Sequence, residues 1–369
     1  MLDLKRLTPL ESEWEEIEQS YRIARYMAPL NRDEERQKLF DAYSQENAYE
    51  PQFVYTDPPD YPVSAIRGFM AKLRPEHSPL EGLYYEKARN ALLEIEAVQT
   101  HHPGVITAAS ALENGLPDAA LLAEARRILR ETAAEETLEP EDIPAEQAAE
   151  SMQTVINKAG IQEWKAIVFE PMSAGMSVNR LDKELKIRKG DFCSQSDLQR
   201  LVVHEIGVHI LRYENGLQQP IRLFQGSFPS CTSTEEGLAV YSERRAGLLK
   251  NVTLRKYAGR VVAANAALSQ PFSRVFSRLV DDLGTDEAFN IVTRAKRGFT
   301  DTGQPGAHVK DLVYLKGYLD VTAHLAQRPE DYSLLFLGKF GLQHLALVRE
   351  MLAEGMISLP AYLPEHLMP

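Results

Sequence analysis

Cysteine is nearly missing from this chain of 369 residues, which has only Cys193 and Cys231. Two cysteines cannot build a disulfide framework, so the fold must rest on a packed core, and a reducing compartment fits. An excess of positive charge is missing too. Lys and Arg number 41 against 53 Asp and Glu, a formal net charge of −12. A general nucleic-acid binder needs a net or local basic surface, so no nucleic-acid partner is expected. No run approaches about 18 uninterrupted apolar residues, so no membrane-spanning helix is expected. The opening stretch, MLDLKRLTPLESEWEEIEQ, is acidic and amphipathic with no apolar signal core. Cytoplasmic location without a membrane partner is the expectation. No repeat of about 20–50 residues is evident, which argues against a solenoid. The pattern specifies no oligomeric state.

What is present is an ordinary globular composition, 44% hydrophobic and 25% charged. Most of it reads as helix. Leu10, Trp14, Ile17, Tyr21 and Ala24 recur at three- and four-residue steps, the mark of one buried face. A second helix is expected over about 32–49, an extended proline-rich segment over 51–62, and helices over 63–74 and 79–100. Ser78 is the expected N-cap of the last of these. His101 and His102 are adjacent, and adjacent side chains do not share a helix face, so they read as a loop pair. Helices follow over 117–136, with Asp118 or Asn114 as its cap, and over 145–159. Beyond 245 the helical pattern resumes, with Gly298 as a stop and a loop at 299–311.

Two β-rich runs interrupt this pattern, at 165–171 and within 176–190, where Met176, Val178, Leu185 and Ile187 nearly alternate. The expected class is therefore α+β, mainly helical, with a small antiparallel sheet. Residues 1–160 are expected to form a helical N-terminal region and 161–369 the domain that carries the chemistry.

The chemistry centres on HEIGVH, residues 204–209. Two histidines flanking a glutamate on a helix can hold zinc beside a general base. Here the histidines stand at i and i+5. On a regular α-helix they would point about 140° apart at roughly 100° per residue. A π-type distortion would bring them together, and Gly207 could ease it. Val202, Val203, Ile206, Ile210 and Leu211 make this segment strongly apolar, so His204, Glu205 and His209 would be costly to bury without partners. A third ligand is expected from TSTEEGLAVYSE (232–243), either Glu235 or Glu236 in its first turn. Dipole compensation at a helix start is the plainer reading of that acidic pair. Cys193 and Cys231 flank the motif, but two histidines and a glutamate already supply three ligands.

Several motifs in one order carry a resemblance: HEIGVH, NGLQQP, EEGLAVYSE and KRGFTDTGQPGAHVKDLVYLKG. Over about residues 165–340 the chain resembles the QEGLA-motif family, whose bacterial members are called flavohaemoglobin-expression-modulating proteins. That family includes the animal microtubule-associated tyrosine carboxypeptidases, which use an HExxxH zinc motif. The resemblance implies a zincin-like metallopeptidase core, Zn2+ held by His204, His209 and Glu236, and Glu205 as the base that activates water. Glu235 stands where the family name has Gln, and His308-Val309 where Phe-Thr or Phe-Ser is expected.

A carboxypeptidase must also hold a terminal carboxylate, and a cation does so well. Arg180, Arg294, Arg297 and Lys310 are the candidates. Tyr241 and Tyr314 could donate to the developing oxyanion or line an aromatic pocket. Asp311 or Glu243 could orient a ligand histidine. The expected function is a zinc metallopeptidase, of carboxypeptidase type, removing a C-terminal residue, an aromatic one among the candidates, from a peptide or protein. Two alternatives stand beside it: a regulatory binding protein that keeps the zinc site with little hydrolysis, and a zinc hydrolase of a non-peptide bond.

Overall fold

The structure, a computed structural model, describes residues 4–133, 139–161, 163–170 and 175–364. In chain order the helices are α1 (Leu4–Ser20), α2 (Arg32–Ser44), α3 (Val63–Met70), α4 (Pro79–Thr100), α5 (Pro103–Asn114) and α6 (Ala119–Glu131). After β1 (Ile143–Pro144) and α7 (Ala145–Lys158) come β2 (Lys165–Phe169), β3 (Met176–Asn179), β4 (Glu184–Arg188) and β5 (Phe192–Cys193). Then follow α8 (Gln195–Leu201), a π-helix (Val202–Ile210), α9 (Leu211–Leu217), α10 (Leu223–Gly226) and α11 (Thr232–Arg245). The rest is α12 (Asn251–Ala267), α13 (Phe272–Leu283), α14 (Thr285–Ala295), α15 (Val313–Gln327), α16 (Asp331–Leu334) and α17 (Leu345–Ala353). None of the described helices is long and apolar enough to cross a membrane.

Two compact units result, residues 1–134 with 251–315, and residues 135–250 with 316–369. They cut across the expected division at 160. The reason is a long-range return of the chain. Helix α12 packs along α6, and buried Arg255 donates to the carbonyls of Leu129 and, at 2.9 Å, Thr132. Composition along the chain carries no trace of such a return.

The first unit is helical. Leu10, Trp14 and Ile17 form the buried stripe of α1, and Trp14 meets Phe69 of α3 at 5.2 Å between ring centroids. Tyr21 and Ala24 fall outside it because α1 ends at Ser20. Ser78 caps α4 by accepting from Glu81 N, and Asp118 caps α6 by accepting from Leu121 N at 2.7 Å. Helix α6 ends at Glu131, short of 136; residues 134–136 lie outside the described ones. Gly298 follows α14 at φ +87°, a turn that a residue with a Cβ rarely makes.

The second unit holds the sheet. Its three strands run in the order β2-β4-β3, while β1 and β5 form a separate two-stranded antiparallel pair. The sheet is mixed, not antiparallel as expected. β3 and β4 form an antiparallel hairpin with Val178 opposite Leu185, but β2 pairs parallel to β4, Ala166 opposite Leu185. Alternation shows which face of a strand is buried, here Leu185 and Ile187, and not which neighbour it pairs with. Helix α7 packs on β2, β4 and the π-helix, and β3 lies against the π-helix. The sheet thus stands beside the motif-bearing helix. The first β-rich run gives a strand over 165–169, and Pro171 lies outside the described residues.

Helix α11 is seated by a glycine pair. A Cβ on Gly237 would lie 2.1 Å from the Gly317 carbonyl carbon, and one on Gly317 would lie 1.8 Å from Ser233 O. Both contacts are backbone, so no side chain can yield. Gly317→Ala should therefore push α11 off α15 and destabilise by at least the usual overpacking cost, about 1–3 kcal/mol. Urea unfolding of the variant checks this; an unchanged midpoint would show that the helices separate freely.

Candidate metal centre

The π-helix meets the demand set by the i, i+5 spacing. Ser194 caps α8 by accepting from Asp197 N at 3.2 Å, and the helix then widens at Val202. In a π-helix the hydrogen bonds run i→i+5, so residue i+5 stacks over i as i+4 does in an α-helix. The His204 and His209 rings accordingly lie 4.9 Å apart between centroids. The distortion spans nine residues rather than one. Both histidines, Glu205 and their apolar neighbours Val203, Ile206, Val208 and Ile210 are buried.

Helix α11 brings the acids. Glu236 Oε2 lies 3.4 Å from His204 Nε2 and 3.7 Å from His209 Nε2. The outer nitrogens are therefore turned toward one carboxylate oxygen. The inner nitrogens are held from behind. His204 Nδ1 is 2.7 Å from Glu243 Oε1, and His209 Nδ1 is 2.7 Å from Glu235 Oε1. An ionised carboxylate only accepts, so each Nδ1 carries a proton, and a neutral ring then leaves Nε2 as its lone-pair donor. Arg200 donates to Glu243 at 3.0 Å; Arg212 and Lys339 pair with Glu235, the latter at 3.1 Å. Arg212 is wholly buried and also donates to Phe340 O at 2.7 Å.

The register of α11 separates the two adjacent glutamates. Glu236 joins the outer nitrogens, and Glu235 orients a histidine from behind. Sequence spacing left these roles open, and it missed Glu235 as an orienting group. Of the two proposed orienting acids, Glu243 takes the role. Asp311 instead binds Arg294 through both oxygens, in the first unit.

The residues fit a tetrahedral metal. Candidate donor atoms of His204, His209 and Glu236 all lie within 4.8 Å of one another. Bonds of about 2.0–2.1 Å to a tetrahedral zinc put neighbouring ligands roughly 3.3 Å apart. The separations from Glu236 Oε2 are near that value and too long for good hydrogen bonds. That oxygen is fully buried with no hydrogen-bond partner, a costly state for a carboxylate unless a cation completes it. Neither cysteine belongs to the cluster.

The charges of these groups depend on one another. Burial opposes charge on His204, yet Glu236 and Glu243 push it up to about 10. Burial likewise opposes charge on His209, yet Glu235 and Glu236 push it up to about 9. Against its own burial, Glu236 is held well below the usual carboxylate range by the two imidazoles. Glu235 has Arg212 and Lys339 as counter-charges, and Glu243 has Arg200. Among the described residues Glu236 has only the imidazoles as counter-charges; a bound cation would take over that role and leave both rings neutral.

Arg180 lies in the turn after β3 and donates to Gly226 O. Tyr241 is on α11, its ring 6.0 Å from that of Tyr332. Arg294, Arg297, Lys310 and Tyr314 belong to the first unit. His101, in a left-handed turn after α4, bonds through Nδ1 to Gly298 O at 2.8 Å, a structural role.

If Glu243 orients His204, Glu243→Gln should weaken binding of a divalent metal about 10- to 100-fold, as loss of such outer partners generally does. Competition with a chromophoric chelator measures this. An unchanged affinity would mean that the 2.7 Å contact does not hold the ring for a metal.

A model of the family described as microtubule-associated tyrosine carboxypeptidase matches residues 41–368. It reaches well into the N-terminal helices, beyond the span over which the motifs are legible. Microtubule-associated tyrosine carboxypeptidase 1 of Mus musculus is 34% identical over 164 residues, 41% of this chain and 33% of the relative. The human protein of that name is 35% identical over 155 residues, 38% of this chain and 31% of the relative. MATCAP2 of Homo sapiens is 30% identical over 181 residues, 46% of this chain and 33% of the relative. The chain thus spans about a third of the length of the curated relatives it matches. With nearly its whole length matched by the family model, the chain belongs to the microtubule-associated tyrosine carboxypeptidase family.

Proposed function

We propose that this chain is a zinc-dependent carboxypeptidase with a zincin-like core, acting on the C-terminus of a peptide or protein. The observation that carries the reading is the convergence of two carboxylate-backed imidazoles on one buried Glu236 oxygen that makes no hydrogen bond. His204, His209 and Glu236 would hold the metal through three ligands, which leaves a fourth position open, the arrangement of catalytic zinc sites. When bound, zinc would supply a Lewis acid that polarises the scissile carbonyl and makes water acidic enough to attack at neutral pH.

The protein's own groups do the rest. Glu205 follows His204 on the π-helix, and its carboxylate has no hydrogen-bond partner among the described residues. It is free to take the proton of the attacking water and return it to the leaving amine. Arg180, after the strand that lies on the π-helix, and Tyr241 of α11 are the second unit's candidates for holding substrate. The names of the relatives point to a C-terminal tyrosine as the residue removed and to microtubules as the setting.

A regulatory protein that merely keeps a zinc site is the competing reading. Such a protein has no use for a base at Glu205. His204→Ala should lose most of one zinc equivalent per chain, read by elemental analysis; full retention would refute the ligand set. Glu205→Gln should keep its zinc and lose peptide turnover by about 10²–10⁴-fold. The assay is release of C-terminal residues from peptides with varied and with amidated ends. Unimpaired turnover in Glu205→Gln would end the mechanism. Equal cleavage of free and amidated ends would make the protein an endopeptidase.

A further inference from the structure

Two side-chain amides at the end of the metal-bearing helix grip a stretch of backbone that has no regular structure. Residues 357–363 form neither helix nor strand, and Pro360 and Pro364 bring no N–H to a ladder. Ile357 and Pro364 are buried at the two ends, while Ser358, Leu359 and Ala361 between them are exposed. Gln219 accepts from Ser358 N at 2.9 Å and donates to Ser358 O at 3.2 Å. Further along, Asn215 accepts from Tyr362 N at 2.8 Å and donates to Tyr362 O at 2.7 Å. Each amide thus holds both backbone groups of one residue, as a neighbouring strand would. A strap of this kind, with little buried apolar surface, is the sort of segment that opens locally before the whole fold does.

The contacts of Asn215 lead on toward the metal centre. Asn215 is wholly buried, and it also donates to Phe336 O at 2.9 Å. Its two bonds to Tyr362 fix the plane of the amide, and with it the donor that Phe336 O receives. Arg212, one turn earlier on α9, donates to Phe340 O at 2.7 Å. Between these two anchored carbonyls lies Lys339, whose Nζ is 3.1 Å from Glu235 Oε1. The same oxygen is 2.7 Å from His209 Nδ1, and Arg212 holds the other oxygen of Glu235. Residues 336–340 therefore stand between the strap and the acid that orients His209. His204 lies outside this series of contacts. Glu243 orients it, and Arg200 answers Glu243. All of these residues belong to the second unit.

We infer that residues 357–364 are a strap that positions His209 through Asn215. Seated, the strap fixes the Asn215 amide and residues 336–340, and so keeps Lys339 and Arg212 on Glu235. Lifted, it loosens His209 and leaves His204 in place. Asn215 and Arg212 are positioning residues in this account, since neither joins the donor cluster. The consequence for the metal rests on the reading of His209 as a ligand: one of three ligands loses its fixed orientation, and the ion is held less tightly.

Coupling of this kind requires that both ends move together. Ser358→Pro and Gln219→Leu break the Ser358 clasp from its two sides, each in the full chain. Amide exchange at Tyr362 reports the strap. Spectra of the metal-free protein labelled with 15N-histidine report the Nδ1–H of each ring, and chelator competition reports affinity for a divalent metal. Loss of the clasp should speed exchange at Tyr362 about tenfold. The His209 Nδ1–H signal should shift or broaden while that of His204 stays. Metal affinity should fall severalfold, short of the about 10- to 100-fold that follows loss of an orienting partner itself. Tyr362→Phe, which keeps the backbone bonds, should match wild type. Faster exchange with both histidine signals unchanged would make the strap a plain tether. Equal movement of His204 and His209 would mean general loosening, and unchanged exchange would show that the clasp does not seat the strap. Each of these results overturns the inference. A wild-type protein that takes up no metal would end the zinc reading instead, and the His209 signal of the metal-free chain would still decide the strap.

Discussion

Two carboxylate–imidazole contacts govern the arrangement of the second unit. Glu243 and Glu235 each hold a histidine by its inner nitrogen at 2.7 Å, which fixes ring orientation and tautomer together. Everything near them serves to keep four ionisable groups buried in one place. Arg200, Arg212 and Lys339 answer the two orienting acids. Glu236 is answered by the imidazoles alone. The apolar π-helix excludes water, which makes each of these electrostatic terms larger than it would be at a surface.

The motifs read as devices for that arrangement. The glycine of the EEGLA run lets α11 press its backbone against Gly317, and this seating sets the register that separates Glu235 from Glu236. The NGLQQ run does not touch the chemistry. Asn215 donates to Phe336 O and Tyr362 O at 2.9 and 2.7 Å and accepts from Tyr362 N. Gln219 exchanges hydrogen bonds with the backbone of Ser358. These amides tie the segment near residue 360 to the end of α9. A recurrent motif beside a catalytic one can thus be a clasp.

Local rules were legible in the sequence and long-range ones were not. The i, i+5 spacing of His204 and His209 called for a widened helix, because a side-chain position on a helix follows from its turn angle. Ser78 announced a helix start for an equally local reason, and of the two caps the sequence offered for α6, Asp118 is the one used. The parallel pairing of β2 with β4 and the return of α12 to α6 depend on partners far away in the chain. The choice between Glu235 and Glu236 depended on how α11 is rotated against the π-helix, which adjacent residues of like type cannot reveal. Asp311 looked like a helper of the histidines only because acids near a motif often are; its partner is Arg294.

The central claim is that two histidines and Glu236 surround one metal ion. Crystals of the full chain, with diffraction measured on both sides of the zinc absorption edge, test it most directly. The account predicts a single anomalous peak per chain, bonded at about 2.0–2.2 Å to His204 Nε2, His209 Nε2 and a Glu236 oxygen. Glu235 and Glu243 should remain on the Nδ1 atoms. No peak there in zinc-supplemented crystals, or a metal ligated by Glu235 in place of Glu236, would contradict it.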